Sequence, residues 1–213
     1  MSPAPNPAFW DALAERYAAK PVDDPEAFER KIAITKDLIT PDSQVLDVGC
    51  GTGSLALRLA PDAGHVRGLD LSENMLQFAR DKAAASQTEN VSFHHGTLDD
   101  ALSTFGAGSQ DVVCAYSLLH LLPDRAAGLQ QLYALLKPGG AFIASTVVLG
   151  DSWMPYRAIL WTMRKLGKAP HVWVVNKQTV LDEIRAAGFE EVNAPDVGAK
   201  SEVLFTCARK PTC

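Results

Sequence analysis

From Val45 onward five strand-like apolar runs, "VLDVG", "HVRGLD", "VSFHH", "DVVCAY" and "AFIASTVV", alternate with helical stretches that start near Gly53, Ser72, Leu98 and Asp124. Such alternation leaves few topologies, because a parallel strand pair needs a crossover and the crossover helix covers a face of the sheet. The expectation is an open, mostly parallel sheet with helices on both faces. Ser72, ahead of Met75, Leu76, Phe78 and Ala79, reads as a helix cap. "LLKPGGAF" reads as a helix stop that turns into the next strand. The alternation then breaks at "DSWMPYRAILWTMRKLGKAPHVWVV", dense in Trp, Met and Tyr. A helix over about 177–187 ends at Gly188, and "FEEVNA" and "SEVLFTCAR" follow as two strands joined by a short polar link. Without a crossover helix between them they are read as antiparallel.

Ahead of the alternating part lie two helices separated by "KPVDDPEA". Phe9, Leu13 and Tyr17 share one face of the first, and Phe28, Ile32, Thr35 and Ile39 one face of the second. With 213 residues and 47% apolar content the chain suits one sizeable core better than two. It is read as a single domain over 1–213. A helical cap covers 1–40, a core 41–150, an insertion 151–175, and a closing helix with a strand pair 176–213.

A net charge of −5 supplies no general attraction for nucleic acid. The N-terminus has no basic-then-apolar signal pattern and no stretch suits a bilayer span, so a cytoplasmic location is expected. Cys50, Cys114, Cys207 and Cys213 form no CxxC pair and are read as reduced thiols, neither a zinc site nor a disulfide framework. His94 and His95 are adjacent on a strand, face opposite ways, and cannot grip one metal. No metal is expected.

"VLDVGCGTG", Val45 to Gly53, places an acid inside an apolar strand just before three glycines. Glycines after a first strand let backbone approach a ligand at the carboxyl edge of an open α/β sheet. Read from Gly51, "GTGSLA" satisfies the dinucleotide pattern with Ala56 in its last place, so the loop alone leaves a nicotinamide cofactor open. Asp70 ends the second strand, where a carboxylate accepts hydrogen bonds from ribose hydroxyls of any adenosine-containing cofactor. Asp47 discriminates better. A carboxylate there repels a pyrophosphate dianion and suits S-adenosylmethionine, whose ammonium and sulfonium are cationic.

In this order and spacing, "VLDVGCGTG", "GLDLSENM", "DVVCAYSLLHLLPD" and "LLKPGGAFI" resemble the class I S-adenosylmethionine-dependent methyltransferases, in particular the small-molecule branch of the ubiquinone/menaquinone-biosynthesis type. The resemblance implies a Rossmann-like, doubly wound seven-stranded sheet, mostly parallel with an antiparallel last strand. It implies that Gly49, Gly51 and Gly53, with Cys50 among them, approach the methionine and ribose part of the cofactor. Asp47 would take the amino group directly or through water, Asp70 the ribose hydroxyls, and Leu71 and Met75 would flank the adenine. Where the family often carries "GD" after the third strand this chain has "HHGTLDD". Thr97, the Leu98 backbone and Asp99 become the candidates near the adenine amino group. Tyr116 and Ser117 would line the pocket or contact the cofactor, with Tyr116 counted among the cofactor-binding residues, and for Cys50 packing is the competing role.

Two segments would cover the site. Tyr17 resembles an N-terminal helix tyrosine that closes over the cofactor, against the alternative of a core aromatic. In the insertion, Trp153, Tyr156, Leu160 and Met163 are the candidate lid residues. Tyr156, Ile159, Leu160 and Met163 share a helical face, while Arg157, Arg164 and Lys168 line another. As a lid this helix implies an apolar or aromatic acceptor, as a surface helix a peripheral lipid contact, and it also reads as an ordinary packed helix.

Methyl transfer from a sulfonium needs alignment and exclusion of water, and a base only where the acceptor must lose a proton. His120, just past the fourth strand, is the candidate catalytic base, with a structural histidine as the competing reading. The function expected is methyl transfer from S-adenosylmethionine to a small, apolar or aromatic acceptor, leaving S-adenosylhomocysteine. The alternatives are an NAD(P)-dependent oxidoreductase and a non-catalytic cofactor- or lipid-surface-binding protein.

Overall fold

The computed structural model describes residues 6–212. Two proline-started helices come first, α1 (Pro7–Ala19) and α2 (Pro25–Lys36), capped by the side chains of Asn6 and Asp24, which accept from the amides of Phe9 and Ala27. Ile39 lies beyond the end of α2, so the apolar face of that helix is shorter than its periodicity implied.

The alternating part then runs β1 (Gln44–Val48), α3 (Ser54–Leu59), β2 (His65–Asp70), α4 (Glu73–Ala85), β3 (Val91–His95), α5 (Leu98–Phe105), β4 (Gln110–Tyr116), α6 (Arg125–Leu135) and β5 (Leu136–Val147). It closes with α7 (Tyr156–Lys165), α8 (Lys177–Ala186), β6 (Glu190–Asn193) and β7 (Val203–Arg209). Seven strands form one sheet in the order β3-β2-β1-β4-β5-β7-β6. All neighbours are parallel except β7, which runs antiparallel to β5 and β6. This is the expected doubly wound sheet with its reversed last strand.

Two departures are local. β5 starts earlier than "AFIASTVV", because Leu136 pairs with Gln110 before the register jumps to Val112 opposite Ala141. The "KPGG" stretch takes up that irregularity, with Gly139 at φ +76°. The link between β6 and β7 runs over 194–202, longer than a short turn.

Period-two alternation sorts the strands' side chains into two cores. Leu46, Val48, Leu69, Val113 and Phe142 pack under Leu129, Leu132 and Ile184 on one face, and Val45, Val66, Val112, Ile143 and Phe205 pack with Ile32, Leu55 and Leu59 on the other. Cys114 and Cys207 are buried free thiols in the second core. Cys213 lies outside the described residues. Among the described residues no cluster of His, Cys, Asp and Glu can hold a metal ion, and no helix is long and apolar enough to cross a membrane.

The chain winds outward from β1 to β3 and then returns to β4 on the other side of β1. A crevice therefore opens at the carboxyl ends of β1 and β4, where such sheets bind ligands.

Candidate functional site

Two adjoining cavities occupy that crevice, a larger one of about 740 Å³ and a smaller one of about 370 Å³. They share Asp23, Gly49, Tyr116 and Ser117 as walls. Gly49, Gly51, Asp70, Leu71, Met75, Thr97 and Leu98 line the larger one, so the structure gathers most of the residues expected to hold the cofactor.

The glycine loop is tied to β2. The amides of Gly49 and Cys50 donate to Leu69 O at 2.7 and 3.1 Å, and the Gly51 amide donates to Asp70 Oδ2 at 2.8 Å. Asp70 Oδ1 accepts from the Ser72 amide at 2.9 Å. Burial raises the Asp70 pKa, against the lowering effect of these amides. The loop thus uses one carboxylate to set its own shape and to place an acid on the cavity wall.

The three glycines differ in what they are for. Gly51 stands at φ +53° with nothing within 4 Å of where a Cβ would sit. At Gly53, φ +74°, a Cβ would lie 2.8 Å from Ala79 Cβ and 2.9 Å from Phe93 Cζ. Gly53 lines neither cavity; the close packing of α4 and β3 excludes a side chain there. Gly53→Ala should destabilise the fold by about 1–3 kcal/mol through backbone strain and overpacking. Denaturant unfolding checks this, and an unchanged midpoint contradicts it.

Asp47 faces the smaller cavity and is 1% exposed. Its Oδ2 has no partner. Burial first, and then the Asp70 carboxylate, push its pKa up to about 7, against a lowering hydrogen bond from the Ala56 amide. A buried acid with a free oxygen is costly unless a cation or donor meets it. Cys50 is a wall of this smaller cavity and not of the larger one. Burial, with the charges of Asp47 and Asp70, drives its thiol well above the ordinary range, so it is an inert packing group set against the Gly68 backbone.

Lys31, missed in the sequence, lines the same cavity. Its Nζ donates to Ser145 Oγ at 3.0 Å, and burial lowers its pKa. No motif marks it in the sequence; in the structure Ala27, Lys31 and Thr35 follow at i, i+4 spacing on one face of α2, and Ala27 and Thr35 are both buried.

Other expected residues divide. Tyr116 is a wall of both cavities, its hydroxyl 2.9 Å from Thr35 Oγ1. Ser117 holds a left-handed φ of +55°, and its amide donates to Ser145 O at 2.6 Å. That conformation is unfavourable for serine. Thr97 caps α5, with its amide and hydroxyl both donating to Asp100 Oδ2. Its hydroxyl is thereby committed, while Asp99 accepts from Gln131 Nε2 and stays on the cavity wall. Tyr17 is half exposed at the mouth of the larger cavity, edge-on to Trp10, and is no core aromatic.

His120 lies in a short 3-10 turn over Leu119–Leu121, on the wall of the larger cavity. Burial lowers its pKa to about 4, and its Nδ1 accepts from the Val147 amide at 3.4 Å. Such an imidazole is neutral near pH 7, with the Val147 amide occupying its Nδ1.

The expected lid residues are not at the site. None of Trp153, Tyr156, Leu160 and Met163 lines either cavity, α7 has no buried residue, and Trp153 is 90% exposed. Pro170 and His171, in the segment after α7, line the larger cavity instead. Trp173 fastens that segment, donating from its amide to His120 O at 2.9 Å and from Nε1 to Leu122 O at 2.8 Å.

With this geometry in place, similarity to known proteins adds the family. Residues 39–188 match the family described as a methyltransferase domain. The chain belongs to this family, that of the class I S-adenosylmethionine-dependent methyltransferases. It is 28% identical over 187 residues to a ubiquinone biosynthesis O-methyltransferase of Marinobacter nauticus, covering 85% of this chain and 76% of that one. It is 32% identical over 168 residues to the 27-O-demethylrifamycin SV methyltransferase of Amycolatopsis mediterranei, covering 78% and 60%. Further ubiquinone- and menaquinone-type relatives align over only 41% and 42% of their length. The fold is shared with a Haemonchus contortus phosphoethanolamine N-methyltransferase solved with S-adenosyl-L-methionine, at a TM-score of 0.72 and 17% identity, covering 95% of this chain and 60% of that one. Neither the family nor these relatives support the nicotinamide alternative or the non-catalytic binder.

Proposed function

We propose that this protein transfers the methyl group of S-adenosylmethionine to a small apolar or aromatic acceptor held in the larger cavity. The observation that carries the reading is the buried Asp47 carboxylate, with an unpartnered oxygen beside a glycine loop and a second acid, Asp70. Two acids at this loop oppose a pyrophosphate and favour a cationic ligand. S-adenosylmethionine, when bound, supplies an electrophilic methyl carbon on a sulfonium leaving group.

The residues present fit that group end to end. Asp70 would accept from ribose hydroxyls, Leu71 and Met75 would flank the adenine, and Thr97, Leu98 and Asp99 would border its amino edge. Past Gly49, the smaller cavity offers an acid and an amine, Asp47 and Lys31, opposite in sign as the two ends of an α-amino acid require. Lys31→Met should weaken S-adenosylmethionine about tenfold to a hundredfold, as loss of a charge-assisted hydrogen bond does, and leave decarboxylated S-adenosylmethionine unaffected. Calorimetric titration of both ligands checks this; equal loss for both contradicts it.

For the acceptor, Leu118, Leu121, Leu122 and Val147 give the larger cavity apolar walls. The names of the Marinobacter and Amycolatopsis relatives place the methyl on oxygen, which favours an oxygen acceptor here. Transfer of labelled methyl from S-adenosylmethionine into a low-molecular-weight component of a cell extract tests the activity. Cofactor binding without transfer to any component contradicts it.

α7 supports a peripheral lipid contact, because Trp161 and Leu166 are 64% exposed next to Arg157, Arg164 and Lys165 on a chain of opposite net charge. Co-sedimentation with anionic vesicles should exceed that with neutral vesicles and fall when Trp161 and Leu166 are both replaced by serine. Equal recovery with both lipid types counts against the contact.

A further inference from the structure

Beside Leu98 the wall of the larger cavity is shared by α5 and α6, and one side chain of α6 there has its orientation fixed by a neighbour. We infer that Gln131 reads the amino edge of the cofactor's adenine, and that Asp99, by pinning the Gln131 amide, makes the site reject hypoxanthine in place of adenine. The inference rests on the methyltransferase reading and deepens it to the base of the cofactor.

The edge of adenine presents a donor, its amino group, next to an acceptor, a ring nitrogen. A matching side chain must offer an acceptor and a donor side by side, as a primary amide does. Thr97, Asp99 and Gln131 are the polar side chains of the wall next to Leu98. Thr97 has committed its hydroxyl proton to Asp100 Oδ2 at 2.8 Å. An ionised Asp99 can only accept. Gln131 has both kinds of atom.

Its amide is held one way round. Gln131 Nε2 donates to Asp99 Oδ1 at 2.8 Å, and a carboxylate accepts only from the nitrogen end of an amide. Gln131 Oε1 takes no partner among the described residues, and the second Nε2 hydrogen is left beside it. Hypoxanthine carries a carbonyl where adenine carries the amino group, and an N–H where adenine has the ring acceptor. Against a pinned amide it sets acceptor against acceptor and donor against donor. An amide free to turn over would meet it.

α6 comes close enough for this because of Gly128, three residues earlier on the same helical face and also a wall of the cavity. A Cβ at 128 would lie 2.6 Å from Leu122 Cδ1 and 3.4 Å from Leu98 Cδ2. Glycine inside a helix is unfavourable relative to alanine, and the close approach to Leu98 and Leu122 is what requires it here.

The test is calorimetric titration with S-adenosylhomocysteine and S-inosylhomocysteine, which differ only at this edge of the base. The wild type should bind the adenine compound about a hundredfold or more tightly than the hypoxanthine compound, as a site with matched polar partners does. Gln131→Leu should weaken S-adenosylhomocysteine about tenfold or more and bring the two compounds within a few-fold of each other. Asp99→Ala should strengthen S-inosylhomocysteine about tenfold, because the released amide can turn, while the adenine compound changes less. Both variants are expected to fold, since Asp99 is exposed and Gln131 only partly buried. Equal binding of the two compounds by the wild type, or wild-type discrimination retained in Gln131→Leu or in Asp99→Ala, overturns the inference and leaves the cofactor reading standing. Failure of the wild type to bind S-adenosylhomocysteine removes the cofactor reading, and this one with it.

Discussion

Asp47→Leu should yield a protein that is more stable without cofactor and unable to bind S-adenosylmethionine. The carboxylate is buried, one oxygen lacks a partner, and its pKa stands at about 7 because of burial and the Asp70 charge. Replacing a buried, incompletely satisfied charge with an apolar group is commonly neutral or stabilising. The adjoining cavity leaves room for the longer side chain.

The sign of the pH dependence follows from linkage. The folded pKa lies above the unfolded one, so the native state holds this proton more tightly than the unfolded chain does. Its contribution to stability is complete below the ordinary aspartate pKa of 3.8 and is lost as pH rises through about 7. That loss amounts to something on the order of 4 kcal/mol. The stability of the wild type relative to Asp47→Leu should therefore fall between about pH 4 and pH 7 and level off above. Cofactor affinity should change in the opposite sense, rising with pH as Asp47 ionises to face a cation. Thermal unfolding of both proteins across this range, with and without S-adenosylmethionine, decides the matter. A leucine variant that is strongly destabilised, or that binds the cofactor normally, contradicts the role given to Asp47.

Asp70→Ala should weaken S-adenosylmethionine binding more than a hundredfold, on the order of 3 kcal/mol. The variant removes the acceptor for the Gly51 and Ser72 amides as well as the partner proposed for the ribose hydroxyls. Two loop amides lose their partners at once, so the cavity wall and its contact fail together. Asp70→Asn keeps one carbonyl acceptor and should fall between the two. Calorimetric titration measures the series; an alanine variant within a few-fold of wild type overturns the assignment.

Much of the architecture is legible in the sequence because the determinants are local. The strand runs, the Ser72 cap and the Gly188 stop each act within a few residues, and the alternation fixes the sheet through crossover rules. The acids at 47 and 70 are legible because charge within an apolar strand needs a reason. What stays hidden depends on long-range packing. Gly53 reads as part of a cofactor loop, yet its form is set by Ala79 and Phe93 on elements far along the chain. The face of α7 looks like a lid by periodicity, but periodicity does not say which surface a helix meets. His171 and Lys31 are single residues without a motif, and only the cavity walls bring them to the site.

The most direct test is a thermal titration of the wild-type protein with S-adenosylmethionine, S-adenosylhomocysteine and NAD in parallel. Saturable stabilisation by the two sulfur nucleosides, absent with NAD and lost in Asp70→Ala, is the result predicted. Stabilisation by NAD, or none by S-adenosylmethionine, would contradict the account.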